Sequence, residues 1–428
     1  FKKWIETSSE VSEALHKIVG GENRKRTNLA GSKMAMPAWL DRSKWGRFQF
    51  GDIAECSREM GQPGPEDAPL YIGLEHLDSG SLHVRRWGSY ADIKGQKLKM
   101  RRGDILFAKR NAYLRRVAIA PHDGYFSAHG MILRAKPDKV LPEFLPFLMM
   151  SDRFMNRAVE ISVGSLSPTI NWTTLKLETF DLPPLDQQRR IAEILWSLDE
   201  ANLANEVLTS AARQAMETTA TTSVFPFGHT PNSRELDTRY AEHYATRCAE
   251  DLYVISSGNG EPIASDDGDA LFFKVNDFNL NTDELFLTNG ATRFDIGSNT
   301  HIRIFPPGSV IFPKRGASIF LNKVGIVRRP VALDPNLMGL TPNENMIRSE
   351  YLYWLIKLTE IGRIADTTSL PQLNHKHLQP LVFPVPSVEA QDAFLLLAQS
   401  LRSTLHRCQE HGRNLIALQG NVLTHVFG

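Results

Sequence analysis

The same break and helix occur twice in this chain, and that duplication limits the folds open to it. Residues 182–201, LPPLDQQRRIAEILWSLDEA, and residues 385–404, VPSVEAQDAFLLLAQSLRST, each open on proline. Proline cannot continue a preceding helix or occupy a central strand, so each copy starts a new element. Asp186 stands where an N-cap is expected. Apolar residues then recur at helical spacing: Ile191, Ile194, Leu195, Leu198, Ala201, Val207, Leu208, Ala211, Ala212 and Ala215 in the first copy. The second copy reads Phe394, Leu397, Ala398, Leu401, Leu405, Cys408, Leu415, Leu418 and Val422. A displacement of 203 positions lays Pro183 on Pro386, Gln188 on Gln391, Leu198 on Leu401 and Ala215 on Leu418. Two long amphipathic helices at matched places in two half-chains predict an internally repeated architecture.

The segments before each helix repeat as well. Residues 103–110, GDILFAKR, lie on 308–315, GSVIFPKR: a hydrophobic strand running into a Lys-Arg pair. RVAIA at 116–120 matches KVGIV at 323–327, and LSPTIN at 166–171 matches SLPQLN at 369–374. Short β-rich runs separated by Gly, Asp and Ser predict a curved or barrel-like sheet, followed by a helix from about 142 to 161. The expected fold class is therefore α/β (α+β): two similar globular domains separated by two long antiparallel helices in a coiled-coil-like spacer. The expected divisions are an N-terminal helix and linker (1–36), a first domain (37–184), a first helix (185–225), a second domain (226–385) and a second helix (386–428). In that N-terminal piece Trp4, Val11, Leu15 and Ile18 share a helical face, and the NRKRTN run reads as a linker. The helix pair is expected to bury Ile194, Leu198, Leu208 and Ala215 against Leu401, Leu405, Leu415 and Leu418.

Composition sharpens the choice of function. Forty-nine Lys and Arg against 48 Asp and Glu leave a net charge of +1, so any nucleic-acid site must come from local clustering. Residues 97–116, KLKMRRGDILFAKRNAYLRR, supply it, with eight cations against one Asp. Lys314-Arg315 with Lys323, Arg328 and Arg329 form the counterpart in the second half. Lys and Arg neutralise phosphates, and Arg also pairs bidentately with guanine. Asn171, Asn374, Gln372 and Ser165 carry amide or hydroxyl chemistry suited to base edges. The candidate DNA-binding residues are Lys109, Arg110, Arg115, Ser165, Asn171, Lys314, Arg315, Gln372 and Asn374. Ile194, Leu198, Leu208, Leu401, Leu405 and Leu415 are the candidates for the helical spacer and subunit interface. Three cysteines, Cys56, Cys248 and Cys408, are too few for a disulfide framework and fit a reducing cytoplasm. No apolar run is long enough to span a bilayer. The chain opens on Phe1 rather than Met, so a longer polypeptide stays open.

The GDILFAKR and RVAIA runs, the LSPTINWTTLKLETFDLPPLDQQRRIAEIL stretch and their second-half echoes resemble the specificity subunit of type I restriction-modification systems. The likeness covers about residues 37–428 and is most specific at 183–198. It implies two target recognition domains, each reading one part of a split site in double-stranded DNA. It also implies two antiparallel helices that hold the domains apart and dock modification (methyltransferase) subunits, two being expected. Those subunits would carry S-adenosylmethionine, and a restriction (translocase/nuclease) subunit would use ATP, leaving this chain without a cofactor, metal or catalytic residue of its own. Two departures stand out: VPSVEAQ replaces PPLDQQ at the second junction, and the first forty residues have no counterpart. A first helix from Asp186 to about Glu217 would be roughly 48 Å long, enough to act as a ruler between two read blocks.

Catalytic readings find little support. There is no Asn-Pro-Pro-Tyr or Asp-Pro-Pro-Tyr block and no GxxxxGK[ST] loop. SGNGE at 257–261 reads as a turn, and His375-Lys376-His377 lacks convergent ligands. Asp92-Ile93-Lys94 with Glu66 or Asp67 matches the tail of a nuclease motif only by a short pattern. The alternatives are a recognition portion of a longer single-chain methyltransferase or nuclease, and a scaffold whose globular heads bind protein.

Overall fold

The computed structural model of the chain describes residues 40–62, 71–89, 95–228, 238–281, 285–368 and 370–428. The expected N-terminal helix, the basic linker, Glu66, Asp67, Asp92-Ile93-Lys94 and Ser369 lie outside them. The chain divides into two compact units, and each cut falls inside a long helix. The first unit runs to Glu206 and takes in His411–Gly428; the second is Val207–Glu410.

In the first unit one sheet has the order Ala54–Ser57, Met131–Ala135, Ile105–Phe107, Val117–Ile119, all antiparallel. A second sheet runs Met60–Gly61, Lys97–Met100, Gly124–Phe126, Tyr71–Ile72, the last pair parallel. The central strand explains its own sequence. Side chains alternate across a strand, so Ile105 and Phe107 enter the core beneath the helices Leu145–Met150 and Asp152–Glu160. Leu106 enters a separate core with Ile72, Leu98 and Phe126. A strand buried on both faces reads as a continuous apolar run. The helix expected over about 142–161 is broken at Ser151, whose hydroxyl caps the second piece by accepting from the Phe154 N–H at 3.3 Å.

The second unit repeats this plan. Its first sheet runs Tyr253–Ser257, Leu337–Pro342, Val310–Pro313, Gly325–Val327, with Phe286–Leu287 added in parallel at the edge. The second sheet holds Ala270–Phe273 parallel to Val331–Leu333, as the first unit holds Tyr71–Ile72 parallel to Gly124–Phe126. Val310 and Phe312 enter one core and Ile311 another, repeating the pattern of 105–107.

Both long helices are 40 residues, Leu185–Val224 and Val388–Phe427. Each is roughly 60 Å long. The first begins earlier than Asp186. The Pro184 carbonyl accepts from the Gln188 N–H at 2.9 Å, which places Asp186 in the first turn rather than at the cap. Within the first unit the start of the first helix meets the end of the second: Ile191, Ala192 and Leu195 share a core with Val426 and Phe427. Within the second unit the order reverses, and Ala220 and Val224 share a core with Phe394 and Ala398. The pair is therefore antiparallel.

The buried stripe corrects part of the expected seam. Ile191, Leu195, Leu198, Asn202, Asn205, Thr209, Ala212 and Met216 follow alternating steps of four and three, the heptad spacing. Leu198 is 4% exposed, and Ile194 and Leu405 are also buried, while Leu401 and Leu415 are half-buried. Leu208 is 59% exposed, and Val207, Ala215 and Leu397 are exposed as well. The 3.6-residue count used on the sequence drifts off a 3.5-residue seam over this length. The middle of the seam is polar. The Asn202 amide donates to Gln419 Oε1 at 3.1 Å, and a Cβ at Gly412 would come within 2.6 Å of Asn205 Nδ2.

One buried residue ties each helix to its unit. Gln188, 1% exposed, donates to the Pro183 and Lys139 carbonyls at 2.9 and 3.0 Å and accepts from the Leu141 N–H at 2.9 Å. Gln391, 0% exposed, donates to the Pro386 and Met346 carbonyls at 3.0 Å and accepts from the Arg348 N–H at 2.9 Å.

Candidate nucleic-acid interface

The central strand of the first unit leads into Lys109 and Arg110. A hairpin closed by Val163 and Thr169 lies across this exit; these two residues exchange both backbone hydrogen bonds, at 3.0 and 2.9 Å. Gly164 turns its tip at φ +114°, a conformation that suits glycine. The hairpin is fastened to the strand exit by two further bonds: the Ile170 N–H donates to the Lys109 carbonyl at 3.0 Å and the Asn111 N–H to the Pro168 carbonyl at 2.7 Å. A short 3-10 helix follows, Ala112–Leu114, with left-handed Asn111 and Arg115 on either side at φ 57° and 50°.

The second unit builds the same arrangement from different residues. Asp366 and Gln372 exchange backbone hydrogen bonds at 2.9 and 3.0 Å. The Leu373 N–H donates to the Lys314 carbonyl at 2.8 Å and the Gly316 N–H to the Pro371 carbonyl at 2.8 Å. The 3-10 helix here is Ala317–Leu321, set between Gly316 at φ 76° and Asn322 at φ 47°.

Within this frame the two arginines stand outward. Arg110 is exposed and donates to Ser167 Oγ at 3.0 Å; Arg315 is exposed as well. The two lysines turn back. Lys314 Nζ donates to Ser257 Oγ at 2.8 Å, and burial, helped by the Arg315 charge, holds it below the ordinary lysine range. Lys109 is half-buried. Arg115 donates to Asp152 and Asn156. Ser165 is exposed on the hairpin. Asn171 and Asn374 open the short helices Trp172–Leu175 and His375–Leu378. Gln372 sits in the loop closure, bridged to Arg315.

The wider basic run does not act as one patch. Lys99 and Arg101 face Glu59 at 3.9 and 3.5 Å on the second sheet, and Arg116 donates to the Leu74 carbonyl at 3.1 Å. In the second unit Arg328 stacks on Phe286 at 3.5 Å, and Lys323 donates to Asn279 at 2.8 Å. Sequence reasoning missed the residues on the two 3-10 helices. Counted back from the left-handed residue that ends each one, Tyr113 and Phe320 occupy the same place, and they are 57% and 54% exposed. A two-residue difference in loop length hid that match from an ungapped comparison. Among the described residues no group of three His, Cys, Asp or Glu is placed to hold a metal ion. Nor, among them, is any helix long and apolar enough to cross a membrane.

Residues 84–210 match the family described as Type I restriction modification DNA specificity domain. That match takes in Lys109, Arg110, the hairpin and the first half of the first long helix. The chain is a relative of the type I specificity subunits. The putative MjaX specificity subunit of Methanocaldococcus jannaschii is 23% identical over 350 residues, covering 75% of this chain and 77% of that one. The EcoDI specificity subunit of Escherichia coli is 23% identical over 151 residues, 35% of this chain and 33% of its own. In fold, the S subunit of a type I restriction-modification system from M. genitalium superposes with a TM-score of 0.58 at 13% identity, covering 92% of this chain and 98% of that one. A chain from a structure of type I restriction-modification complex assembly gives 0.56 at 20% identity, covering 92% and 99%. These folds agree with two mixed α/β units and a paired-helix spacer.

Proposed function

We propose that this chain is the non-catalytic DNA-reading subunit of a type I restriction-modification assembly. The observation that carries this reading is the duplicated frame of strand exit, hairpin and short helix. Each copy presents an exposed arginine, Arg110 or Arg315, and each comes from a separate compact unit. Two such faces suit a split site: one block of duplex DNA for each unit, with an unread spacer between. Lys109, Ser165 and Asn171 would serve the first block, and Lys314, Gln372 and Asn374 the second. Arg115, already paired with Asp152, would position the short helix and contribute less charge to phosphate.

The long helices supply the second function in this reading. Leu203, Val207 and Leu208 on the first and Leu396, Leu397 and Ile416 on the second are exposed apolar residues on otherwise charged helices. Apolar surface of this kind marks an interaction site. We assign it to modification subunits, which would bring S-adenosylmethionine; a restriction subunit would bring ATP. The test is to express the chain with its modification subunits and map methylated positions in the host DNA. A bipartite methylated site, bound with a steep negative salt dependence, is the expected result. A contiguous site, or methylation unchanged by deleting this chain, would overturn the reading.

A further inference from the structure

We infer that each unit carries an apolar wedge for a DNA base step, formed by Tyr113 with Leu166 in the first unit and by Phe320 with Leu370 in the second. This rests on the DNA-reading role proposed above and goes beyond the charged contacts. Leu166 is 96% exposed at the tip of its hairpin, and Leu370 is exposed on the matching loop. A fully exposed leucine on a mobile tail would mean little. Here the tip is held by the Val163–Thr169 pair and by the bond from Asn111 to Pro168. Leu166 lies two residues from Pro168, and Tyr113 two residues from Asn111. That one hydrogen bond therefore brings the leucine and the ring to the same edge of the unit. In the second unit the bond from Gly316 to Pro371 ties the loop of Leu370, the residue before Pro371, to the start of the short helix that carries Phe320 four residues on.

The backbone holds these rings outward. Residues with positive φ on both sides of each short helix fix its direction, and three of those four, Asn111, Arg115 and Asn322, accept a conformation that disfavours L side chains. Two units with largely different surface residues thus place an aromatic ring at the same point. A ring needed only for packing would be buried.

The occupant follows from the charge around each pair. The hairpin 163–171 holds no carboxylate, and Arg110 stands beside it. In the second unit Arg315 is exposed nearby, and the carboxylate of Asp366 is engaged by Thr368 at 2.8 and 3.0 Å. Apolar groups amid cations suit nucleic acid, where phosphates take the charge and the ring or leucine enters between bases. Architectural DNA-binding proteins insert Phe and Leu in this way and kink the duplex.

The test uses the chain assembled with its modification subunits and duplexes carrying the methylated site found by mapping. 2-Aminopurine is placed in turn at each position other than the methylated base, because its fluorescence rises when it unstacks. Wild type should raise the signal at one step in each block. Tyr113→Ala should remove the rise in one block only and Phe320→Ala in the other. Each should cost about tenfold or more in affinity with an unchanged salt slope, because no charge is removed. Tyr113→Phe and Phe320→Tyr should retain the signal. If wild type binds with a steep salt slope but both alanine variants match it, the wedge is wrong and DNA reading stands. If wild type does not bind the duplex, both fall. If the alanine variants instead lose modification subunits on size-exclusion chromatography while the chain's own duplex binding persists, the rings contact protein and the wedge is overturned.

Discussion

Replacing Gln188 by Ala should loosen the joint between the first unit and its long helix, and the size of the effect can be worked from three bonds. The change leaves the Leu141 N–H and the Pro183 and Lys139 carbonyls without their partner. A buried donor without a partner costs about 1–3 kcal/mol. Each carbonyl keeps a second lone pair and costs less, and the vacated space adds a cavity penalty. The total is about 3–5 kcal/mol, local to the joint. Gln391→Ala should do the same to the Arg348 N–H and the Met346 and Pro386 carbonyls. Hydrogen–deuterium exchange read by mass spectrometry separates the two, because each variant is the other's control. Gln188→Ala should speed exchange at 139–145 and 184–195, Gln391→Ala at 346–352 and 387–398. Gln188→Glu adds a pH test. Its carboxylate could still accept from Leu141, but its other oxygen would face two carbonyls, so the folded-state carboxyl titrates above an ordinary Glu. A raised folded pKa means stability is fully present below the unfolded value of ~4.3 and is lost as pH rises through the folded value. Gln188→Glu should therefore be closer to wild type at pH 5 than at pH 8. Unchanged exchange at 139–145 in Gln188→Ala, or equal acceleration everywhere, would refute the idea that this amide is the joint.

Further outcomes are expected. Lys109→Ala/Arg110→Ala and Lys314→Ala/Arg315→Ala should each weaken duplex binding for all sequences and flatten the salt slope by roughly one for each phosphate no longer neutralised, measured by titration at several salt concentrations. Leu198→Asp buries an unpaired charge and should destabilise the seam by about 3 kcal/mol or more in denaturant unfolding. By contrast, Leu208→Asp, on an exposed position, should leave unfolding unchanged and reduce co-purification of modification subunits. His83 Nε2 lies 2.5 Å from Asp199 on the first long helix, and that bond raises the histidine pKa against desolvation and the Arg85 charge, with Glu206 also favouring the charged ring. Its stabilising contribution is present below pH ~6.5 and lost as pH rises through the raised value, so protection at 81–86, taken as exchange relative to the intrinsic rate at each pH, should fall at alkaline pH in wild type and stay level in His83→Phe. Inserting seven residues near Asn205 and seven near Cys408 keeps the heptad stripe, lengthens each helix by roughly 10 Å, and should widen the unread spacer by about three base pairs without changing the read blocks, as seen by methylation mapping.

The repeat was legible in the sequence wherever backbone and burial dictate residue type. Ile105–Phe107 and Val310–Pro313 read as matched strands because both faces are covered. Pro183 and Pro386 marked the helix starts, and Gln188 aligned with Gln391 before any reason for a glutamine was visible. The reason lies in carbonyls some fifty residues away in the chain, which periodicity cannot reach. The helical seam was half legible. Leu198 and Leu405 are buried, but Leu208 and Ala215 are exposed, because polar Asn202, Asn205 and Thr209 take stripe positions that apolar periodicity passes over. At the candidate interface the Lys-Arg pairs were visible as charge. In the second unit the lysine is drawn back by Ser257, a residue of a strand that only the folded sheet brings near.

What the two units share and what they do not share divide along a physical line. Apart from the side-chain amides of Gln188 and Gln391, the shared features act through backbone groups: the hairpin closure, the bond to a proline carbonyl, and the positive-φ residues around the short helix. Any side chain compatible with the local conformation preserves such contacts, so the sequence between them is free to change. The features that differ are side chains on the exposed edge: Ser165 and Ser167 against Thr368 and Leu370, Thr169 against Gln372, Tyr113 against Phe320. Base reading depends on which donors, acceptors and apolar groups face the groove. A frame fixed through the backbone leaves that edge open to variation without disturbing the fold beneath it. The same logic accounts for the polar centre of the helix pair. Apolar heptads alone allow a slip by seven residues, whereas the Asn202 amide needs Gln419 opposite it and Asn205 needs the space that Gly412 leaves. A polar layer of this kind fixes register at some cost in stability. In a pair of helices proposed to set a distance along DNA, a single register is the property the function requires.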